Sequence, residues 1–338
     1  MSKRIYIGIA VITGIIIMGI FIQFAGISNR SASMPLQTLD IATMPHSFTG
    51  YTIFLAYNKG YFKSQGLDVH LKKTYPHGMA TLKALTDGEV QIAASSETPF
   101  MNSILKGAKL SVIATTITAD EHLAIIARKD SGILAPKDLK NKSIGVTMGS
   151  NGEYFLDIVL NLNNLSREDI RTVNLEPGQM VEKLMAKGVD AIATWNPQKV
   201  EAIKALGKDG VIFDAEGLYS PLFIIATTQA FARSNPEIIK KVLRALLSAS
   251  RFIEENPDES HMIVAGDIKT VPDLLKKMTA TYHFKLSLDQ SFLTTLENQA
   301  AWSLKQKSGA SSGIPDFLDF IYFNALEEID PDSVTIIR

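Results

Sequence analysis

An α/β fold in two lobes is predicted by three observations. Short apolar runs alternate with helical patterns through the first two thirds of the chain. Several of those runs end in small or capping residues at a helix start. Two further apolar runs, His122 to Ala127 and Leu222 to Thr227, bracket a second complete alternating unit. Such alternation argues for mostly parallel sheets covered by helices on both faces.

In the first lobe, Thr38 to Thr43 alternates into a strand, and a helix follows around Tyr51 to Tyr61. Leu67 to Leu71 and Val90 to Ala94 read as strands with a helix between them at Ala80 to Leu85. Phe100 to Leu105 is helical, and Leu110 to Thr116 is the next strand. The bracketed unit has strands at Ser143 to Thr147, Thr172 to Leu175, Asp190 to Thr194 and Val211 to Phe213. Its helices fall at Tyr154 to Leu162, Met180 to Ala186 and Gln198 to Leu206. Inserting one α/β lobe into another makes the bracketing runs the crossing strands of a hinge. The expected division is 36–121 with 222–338 for lobe I, and 122–221 for lobe II.

After Thr227 the strand signals nearly vanish. Asn235-Pro236 is a cap followed by proline at the first helical position, where its missing N–H costs nothing. Ile239, Val242, Leu243, Leu246, Leu247 and Ile253 then keep near-helical spacing, so one face is buried. Asn256-Pro257 repeats the start signal. Further helices are expected over Pro272 to Tyr282, Leu288 to Leu304 and Pro315 to Phe323, with a surface loop at Ser308 to Gly313.

Composition narrows the function classes. With 338 residues and 46% hydrophobic content, the chain can fill two cores. A net charge of −1 supplies no basic face for phosphates, which argues against nucleic acid as a partner. The absence of cysteine removes disulfides, thiolate nucleophiles, Cys-ligated zinc, iron–sulfur clusters and the lipid-accepting cysteine of a bacterial lipoprotein. Lys3 and Arg4 precede an uncharged stretch from Ile5 to Ile27. As a helix it spans about 34 Å, against a hydrocarbon core of about 30 Å. Positive charge before it predicts an N-terminus inside and the remainder outside. Residues 1–27 are therefore expected to be a membrane anchor or a signal segment, and 28–35 a tether. Cleavage stays open as the alternative, with Ser31-Ala32-Ser33 a weak substitute for an Ala-x-Ala site.

The handovers carry the binding chemistry. They are Met44-Pro45-His46-Ser47, Tyr75-Pro76-His77-Gly78, Ser95-Ser96-Glu97-Thr98-Pro99, Gly149-Ser150-Asn151-Gly152 and Trp195-Asn196-Pro197. Each should leave unpaired N–H groups and a positive helix end at the carboxyl edge of a sheet, where α/β proteins hold ligands. At Gly149, Ser150 and Asn151, small residues let amides approach an anion. Ser95, Ser96 and Glu97 are expected in a loop before Thr98 as cap and Pro99 as first helical residue. Glu97 either complements the helix dipole or meets a cationic group on a ligand. Trp195 is expected as an aromatic cleft wall with Asn196 as the cap beside it. Ser47, Phe48 and Tyr51 mark the first helix start, and Gly78 and Met79 the second. Trp302 reads as helix packing.

Catalysis and cofactors find no support. Gly309-Ala310-Ser311-Ser312-Gly313 fits G-x-S-x-G as a string, but it follows a helix end instead of a strand. The six histidines form no metal-spaced pair on one helix and read as surface or capping residues, with His46 and His77 near enough to helix starts to reach a cleft. No phosphate loop is present. The chain is expected to bind a small molecule, with no metal, no cofactor and no enzymatic turnover.

At this point the residues resemble a known family. Gly60-Tyr61-Phe62-Lys63-Ser64-Gln65-Gly66-Leu67-Asp68-Val69 is similar to the Gly-Tyr-Phe-x-x-x-Gly-Leu-x-Val segment of nitrate/sulfonate/taurine-type substrate-binding proteins of ABC importers. Asp87 to Ala93, Pro136 to Val146 and Gly188 to Pro197 resemble further family segments in the expected order. The resemblance spans most of Leu36 to about Ala265. It implies a two-lobed periplasmic-binding-protein fold of the second topological type, monomeric, closing on a small polar or anionic organic solute. It implies an ABC permease and its ATPase subunits as partners, and the extracytoplasmic face of a bacterial inner membrane as location. A membrane-anchored sensory protein and a pyrimidine or thiamine-precursor binder are the alternatives.

Overall fold

The apolar runs fold into two mixed β-sheets in a computed structural model that describes residues 35–45, 47–306 and 313–338. Residues 36–338 form one compact unit. The first sheet contains β1 (Gln37–Ala42), β2 (Leu67–Lys72), β3 (Ile92–Ser96), β4 (Leu110–Ala119), β10 (Leu222–Thr228) and β11 (Tyr282–Ser287). Its order is β11-β4-β10-β3-β1-β2. The second contains β5 (Leu123–Arg128), β6 (Ser143–Val146), β7 (Arg171–Asn174), β8 (Ala191–Trp195) and β9 (Gly210–Asp214), in the order β7-β6-β8-β5-β9.

The connections explain the pairing. β1 pairs in parallel with β2 and β3, and β6 with β7 and β8, because helices return the chain between them. β4 runs directly from the first sheet into β5 of the second, and β9 returns to β10. Strands entered that way, without a crossover helix, lie antiparallel: β10 on β3 and β4, and β5 on β8 and β9. The expectation of mostly parallel sheets is corrected accordingly. Both sheets are mixed.

The helices that matter for the site start at sheet edges. They are α1 (Tyr51–Asn58, entered through a 3-10 turn at Phe48–Gly50), α2 (Gly78–Thr86), α3 (Glu97–Leu105) and α4 (Asn151–Leu162). Behind the first sheet lies α5 (Pro236–Glu255), with Pro236 at its first position. It buries Ile239, Val242, Leu243, Leu246, Ala249 and Ile253 on one stripe, against α1 and β4. Each large side chain removed from water there contributes about 1.5–3 kcal/mol. The last long helix, α6 (Gln290–Gln306), packs on α3.

Two C-terminal expectations change. The helix from Pro272 stops at Met278, and Tyr282–Ser287 forms β11 on the edge of β4. A strand replaces the helix end because Tyr-His-Phe-Lys-Leu alternates, burying Tyr282 and Leu286 while His283 and Lys285 face out. The segment from Pro315 has only a 3-10 turn at Phe317–Phe320. The anchor expected at 1–27, nearly all of the tether, His46, and most of the Ser308-to-Gly313 loop with its G-x-S-x-G string lie outside the described residues. Among the described residues no helix is long and apolar enough to cross a membrane.

Candidate functional site

Four helix starts meet at one place between the sheets. Their N-caps are Ser47, His77, Ser96 and Ser150, and all four line a single cavity. The first three come from the first sheet's edge, and Ser150 from the second's. Ser47 Oγ accepts from the Thr49 amide at 3.3 Å, and His77 Nδ1 accepts from the Ala80 amide at 3.3 Å. The other two serines turn away from their helices. Ser96 Oγ donates to Asn151 Oδ1, and Ser150 Oγ donates to the Thr147 carbonyl at 2.6 Å. The first amides of a helix have no partner inside it, and at α4 the Glu153 carboxylate of the first turn takes the Gly149 amide at 2.6 Å.

Glycines permit the close approach. A Cβ on Gly78 would lie 2.6 Å from Ser95 Oγ. One on Gly152 would lie 3.1 Å from the Ala193 carbonyl and 3.3 Å from the Trp195 ring. Gly149 has φ +79°, the left-handed region that glycine enters without strain.

The cavity walls carry no Asp, Glu, Lys or Arg. They comprise Met44, Met79, Met148, Pro99, Trp195 and Phe223 on the apolar side. The polar side is Ser47, Thr49, Ser96, Thr147, Ser150, Asn151 and two histidines, His77 and His122. The cavity's volume is about 40 Å³. At 10–15 Å³ per water that is room for roughly three waters, the size of a small headgroup. Residues of both sheets' edges line it, and Asn151 of α4 reaches Glu97 of α3 across it.

A buried carboxylate helps hold that contact. Glu97 is fully buried at the first turn of α3 and forms no ion pair among the described residues. Its Oε1 accepts from Asn151 Nδ2 at 2.9 Å, from Gln299 Nε2 at 3.0 Å and from the Tyr219 hydroxyl. Its Oε2 accepts from the Leu222 amide at 3.1 Å. Burial raises the Glu97 carboxyl above its usual range, while the hydrogen bonds from Tyr219, Gln299 and Asn151 pull it back. Farther out, Asp157 of α4 accepts from Trp302 Nε1 at 2.7 Å and Gln306 Nε2 at 3.0 Å, and from Arg167. Helix α6 thereby grips both halves.

His122 stands at the entry to β5, 5% exposed. Its ring meets Phe223, Tyr282 and Phe48 edge-on at 5.2, 5.6 and 6.2 Å between centroids. Its Nδ1 bonds the Tyr282 hydroxyl, which also receives Asn196 Nδ2 at 3.3 Å. Burial, with the Lys199 charge adding to it, pushes the ring down to about 3, so it is neutral at ordinary pH.

Of the residues singled out from sequence, Ser47, Gly78, Met79, Ser96, Gly149, Ser150, Asn151 and Trp195 surround the cavity. Five lie elsewhere. Glu97 is inside α3, which begins one residue before the expected cap, and its oxygens are consumed by internal donors. Ser95 is fully buried and donates to the Gly78 carbonyl. Tyr51 is buried against Phe284, Phe48 supports the His122 ring, and Asn196 supports Tyr282. The reading of His122 as a surface or capping residue is corrected: it is a buried cavity residue. Trp302 packs on Tyr154 and also donates to Asp157. Thr49, Thr147 and Met148 gave no signal beyond adjacency to the handovers, and Phe223 none beyond its place in the Leu222-to-Thr227 run.

A family model described as NMT1/THI5 like matches residues 47–260. A protein of Brucella abortus is 24% identical over 221 residues, 64% of this chain and 66% of that protein. The taurine-binding periplasmic protein of Escherichia coli is 26% identical over 201 residues, 58% of this chain and 61% of that one. The matches span just under two thirds of these relatives' lengths. A Saccharomyces cerevisiae relative, 4-amino-5-hydroxymethyl-2-methylpyrimidine phosphate synthase THI13, is 28% identical over 222 residues, 61% of this chain and 63% of that one. Among solved structures, the alkanesulfonate-binding protein SsuA of Xanthomonas axonopodis bound to MOPS superposes with a TM-score of 0.73 at 19% identity. That superposition covers 85% of this chain and 98% of that one. The nitrate-binding protein NrtA of Synechocystis gives 0.69 at 14%, covering 88% and 89%. The fold is that of periplasmic binding proteins.

Proposed function

We propose that this chain, which belongs to the NMT1/THI5-like family, is the extracytoplasmic solute-binding component of an ABC importer. The solute is small and carries an oxo-acid group, of sulfonate, taurine or nitrate type. The observation that supports this most is the convergence of four helix N-caps on a cavity without charged side chains. Partial charges at helix ends favour an anion by about 0.3–1 kcal/mol each, more where partly buried. They do so without a cation that would have to be desolvated.

In this reading 36–121 with 222–338 is one lobe, 122–221 the other, and the segments leading into β5 and β10 are the hinge. The solute enters between open lobes, meets the helix ends, and is enclosed as Asn151 reaches Glu97. Ser47, Gly78, Met79, Ser96, Gly149, Ser150, Asn151 and Trp195 contact it. Captured solute passes to a permease driven by a separate ATPase. The chain works as a monomer held at the outer face of the membrane through residues 5–27. In this reading the solute is bound and released without turnover, as in the solute-binding relatives.

A thermal-shift screen of the full chain tests the proposal, with methanesulfonate, taurine, nitrate and 4-amino-5-hydroxymethyl-2-methylpyrimidine as probes. A binder at a hundredfold over its Kd adds about 2.7 kcal/mol to stability. Stabilisation by an oxo-acid is expected. Stabilisation by the pyrimidine alone moves the assignment to a pyrimidine binder, as the yeast relative would suggest.

A further inference from the structure

We propose that His122 is a specificity-determining residue, presenting a fixed Nε2–H donor to the solute, with Tyr282 and Asn196 as the positioning residues that set its tautomer. The inference rests on the solute-binding reading above for the identity of the guest, and it adds which ring nitrogen meets it and with what chemistry.

The chain of donors decides the tautomer. Asn196 Nδ2 sits 3.3 Å from the Tyr282 oxygen and 3.5 Å from the Met278 carbonyl. A carbonyl only accepts, so the amide turns its NH2 that way and gives a hydrogen to Tyr282. Tyr282 is buried and its phenol is held well above the usual range by that burial, so it keeps its proton. Having accepted from Asn196, it donates to the one remaining neighbour, His122 Nδ1. A neutral imidazole whose Nδ1 accepts carries its proton on Nε2. Burial and the nearby Lys199 charge hold the ring in that neutral form. Lys199 itself is tied to Asp214 and to the Glu121 carbonyl.

Nε2 is the free end. No hydrogen bond among the described residues reaches it, and it is absent from the fully buried polar atoms that lack partners. His122 lines the cavity. Phe48, Phe223 and Tyr282 box the ring edge-on, so it cannot turn to offer the other nitrogen. The solute atom facing His122 is therefore a hydrogen-bond acceptor: a sulfonate, nitrate or carboxylate oxygen, or a carbonyl. An ammonium or other N–H donor at that position is rejected, because both sides would donate. One uncharged donor, added to the helix ends, selects an oxygen-rich headgroup and leaves its countercharge in water.

Two substitutions separate this role from packing. In His122→Gln, the side-chain amide nitrogen falls near the place of Nε2 and still donates. In His122→Asn, the amide falls near Nδ1 and nothing reaches the solute. With methanesulfonate as the probe and the full chain in calorimetry, His122→Asn is expected to weaken binding about ten- to hundredfold, as for a lost hydrogen bond to a charged partner. His122→Gln should retain most of it. Equal losses in both variants, with both folded, overturn the proposal. The ligand-free tautomer is read independently from the 15N–1H spectrum of histidine-labelled protein. A bare Nδ1 and a protonated Nε2 are expected, and Tyr282→Phe should let the second tautomer appear. A proton on Nδ1 in the parent overturns the proposal even if both substitutions fail to fold. A chain that binds none of the probes sinks the transport reading, while the spectrum still decides the state of His122.

Discussion

Replacing Tyr219 by phenylalanine tests whether the buried Glu97 cluster holds the closed form. The change deletes one oxygen and leaves the ring against Tyr154, 5.1 Å between centroids. Glu97 then keeps three of its four donors, Asn151, Gln299 and the Leu222 amide, inside a site with no cation. A hydrogen bond to a charged group contributes about 1.5–3 kcal/mol, and the stranded carboxylate cannot recover it from water. Thr98, 3.3 Å from the hydroxyl, loses a partner as well. Unfolding in urea at pH 7 should show that loss with an unchanged m-value, and Tm should fall by roughly 3–6 °C in a body of this size. The pH dependence has a definite sign. The Tyr219 bond lowers the Glu97 pKa, so removing it raises a value that burial has already lifted. The penalty is full where Glu97 is ionised in the parent, and it shrinks as pH falls and both proteins take up the proton. A Tyr219→Phe protein within 0.5 kcal/mol of the parent at pH 7, or a penalty that grows on acidification, would refute the reasoning.

Three other outcomes follow from the same geometry. Gly78→Ala drives a methyl to 2.6 Å from Ser95 Oγ, and should cost about 1–3 kcal/mol in urea unfolding and displace the α2 amides from the cavity; a neutral effect on both stability and methanesulfonate affinity would show that the approach is not tight. Glu97→Gln removes a group whose folded pKa lies above its unfolded value of 4.5, whose contribution is full below about pH 4.5 and is lost as pH rises through the folded value. The parent's stability relative to the Gln variant should therefore decline from pH 4.5 toward neutrality, and a constant difference across that range would contradict the assignment. Trp302→Phe deletes the 2.7 Å bond from α6 to Asp157, so X-ray scattering should show a more open unliganded protein, and affinity should fall about tenfold if only the closed form binds; unchanged scattering together with affinity within twofold would remove α6 as a clasp.

The architecture was largely legible because local signals sufficed for it. Apolar runs of strand length, capping residues and N1 prolines placed β1 to β9 and the helices from Gly78, Asn151 and Pro236. Strand direction was not legible in the same way. It depends on whether a helix or a direct crossing delivers the chain: the runs that become β5 and β10 read as crossing strands, but only the assembled sheets show that crossing sets them antiparallel to their neighbours. β11 was hidden in plain view: Tyr282 to Leu286 alternates, yet the run is short and charged on its outer face. Among site residues, those whose role is a backbone conformation could be read, Gly149 and Gly78 through their missing side chains and Ser150 through its capping position. Residues whose role is a distant contact could not. Glu97 takes donors from Tyr219 and Gln299, 122 and 202 positions away, and His122 takes its partner from Tyr282, 160 positions away. No spacing rule connects them. The fold places Glu97, left open between dipole partner and ligand contact, in a bond between α3 and α4, and it places His122, expected at the surface, in the cavity wall.

A crystal structure of the chain with methanesulfonate bound tests the central claim most directly. The sulfonate should lie between the two sheets, its oxygens within hydrogen-bond distance of amides at the starts of α2 and α4, with Glu97 still bonded to Asn151. A sulfonate seated outside that enclosure, or held chiefly by a lysine or arginine side chain, would contradict the account.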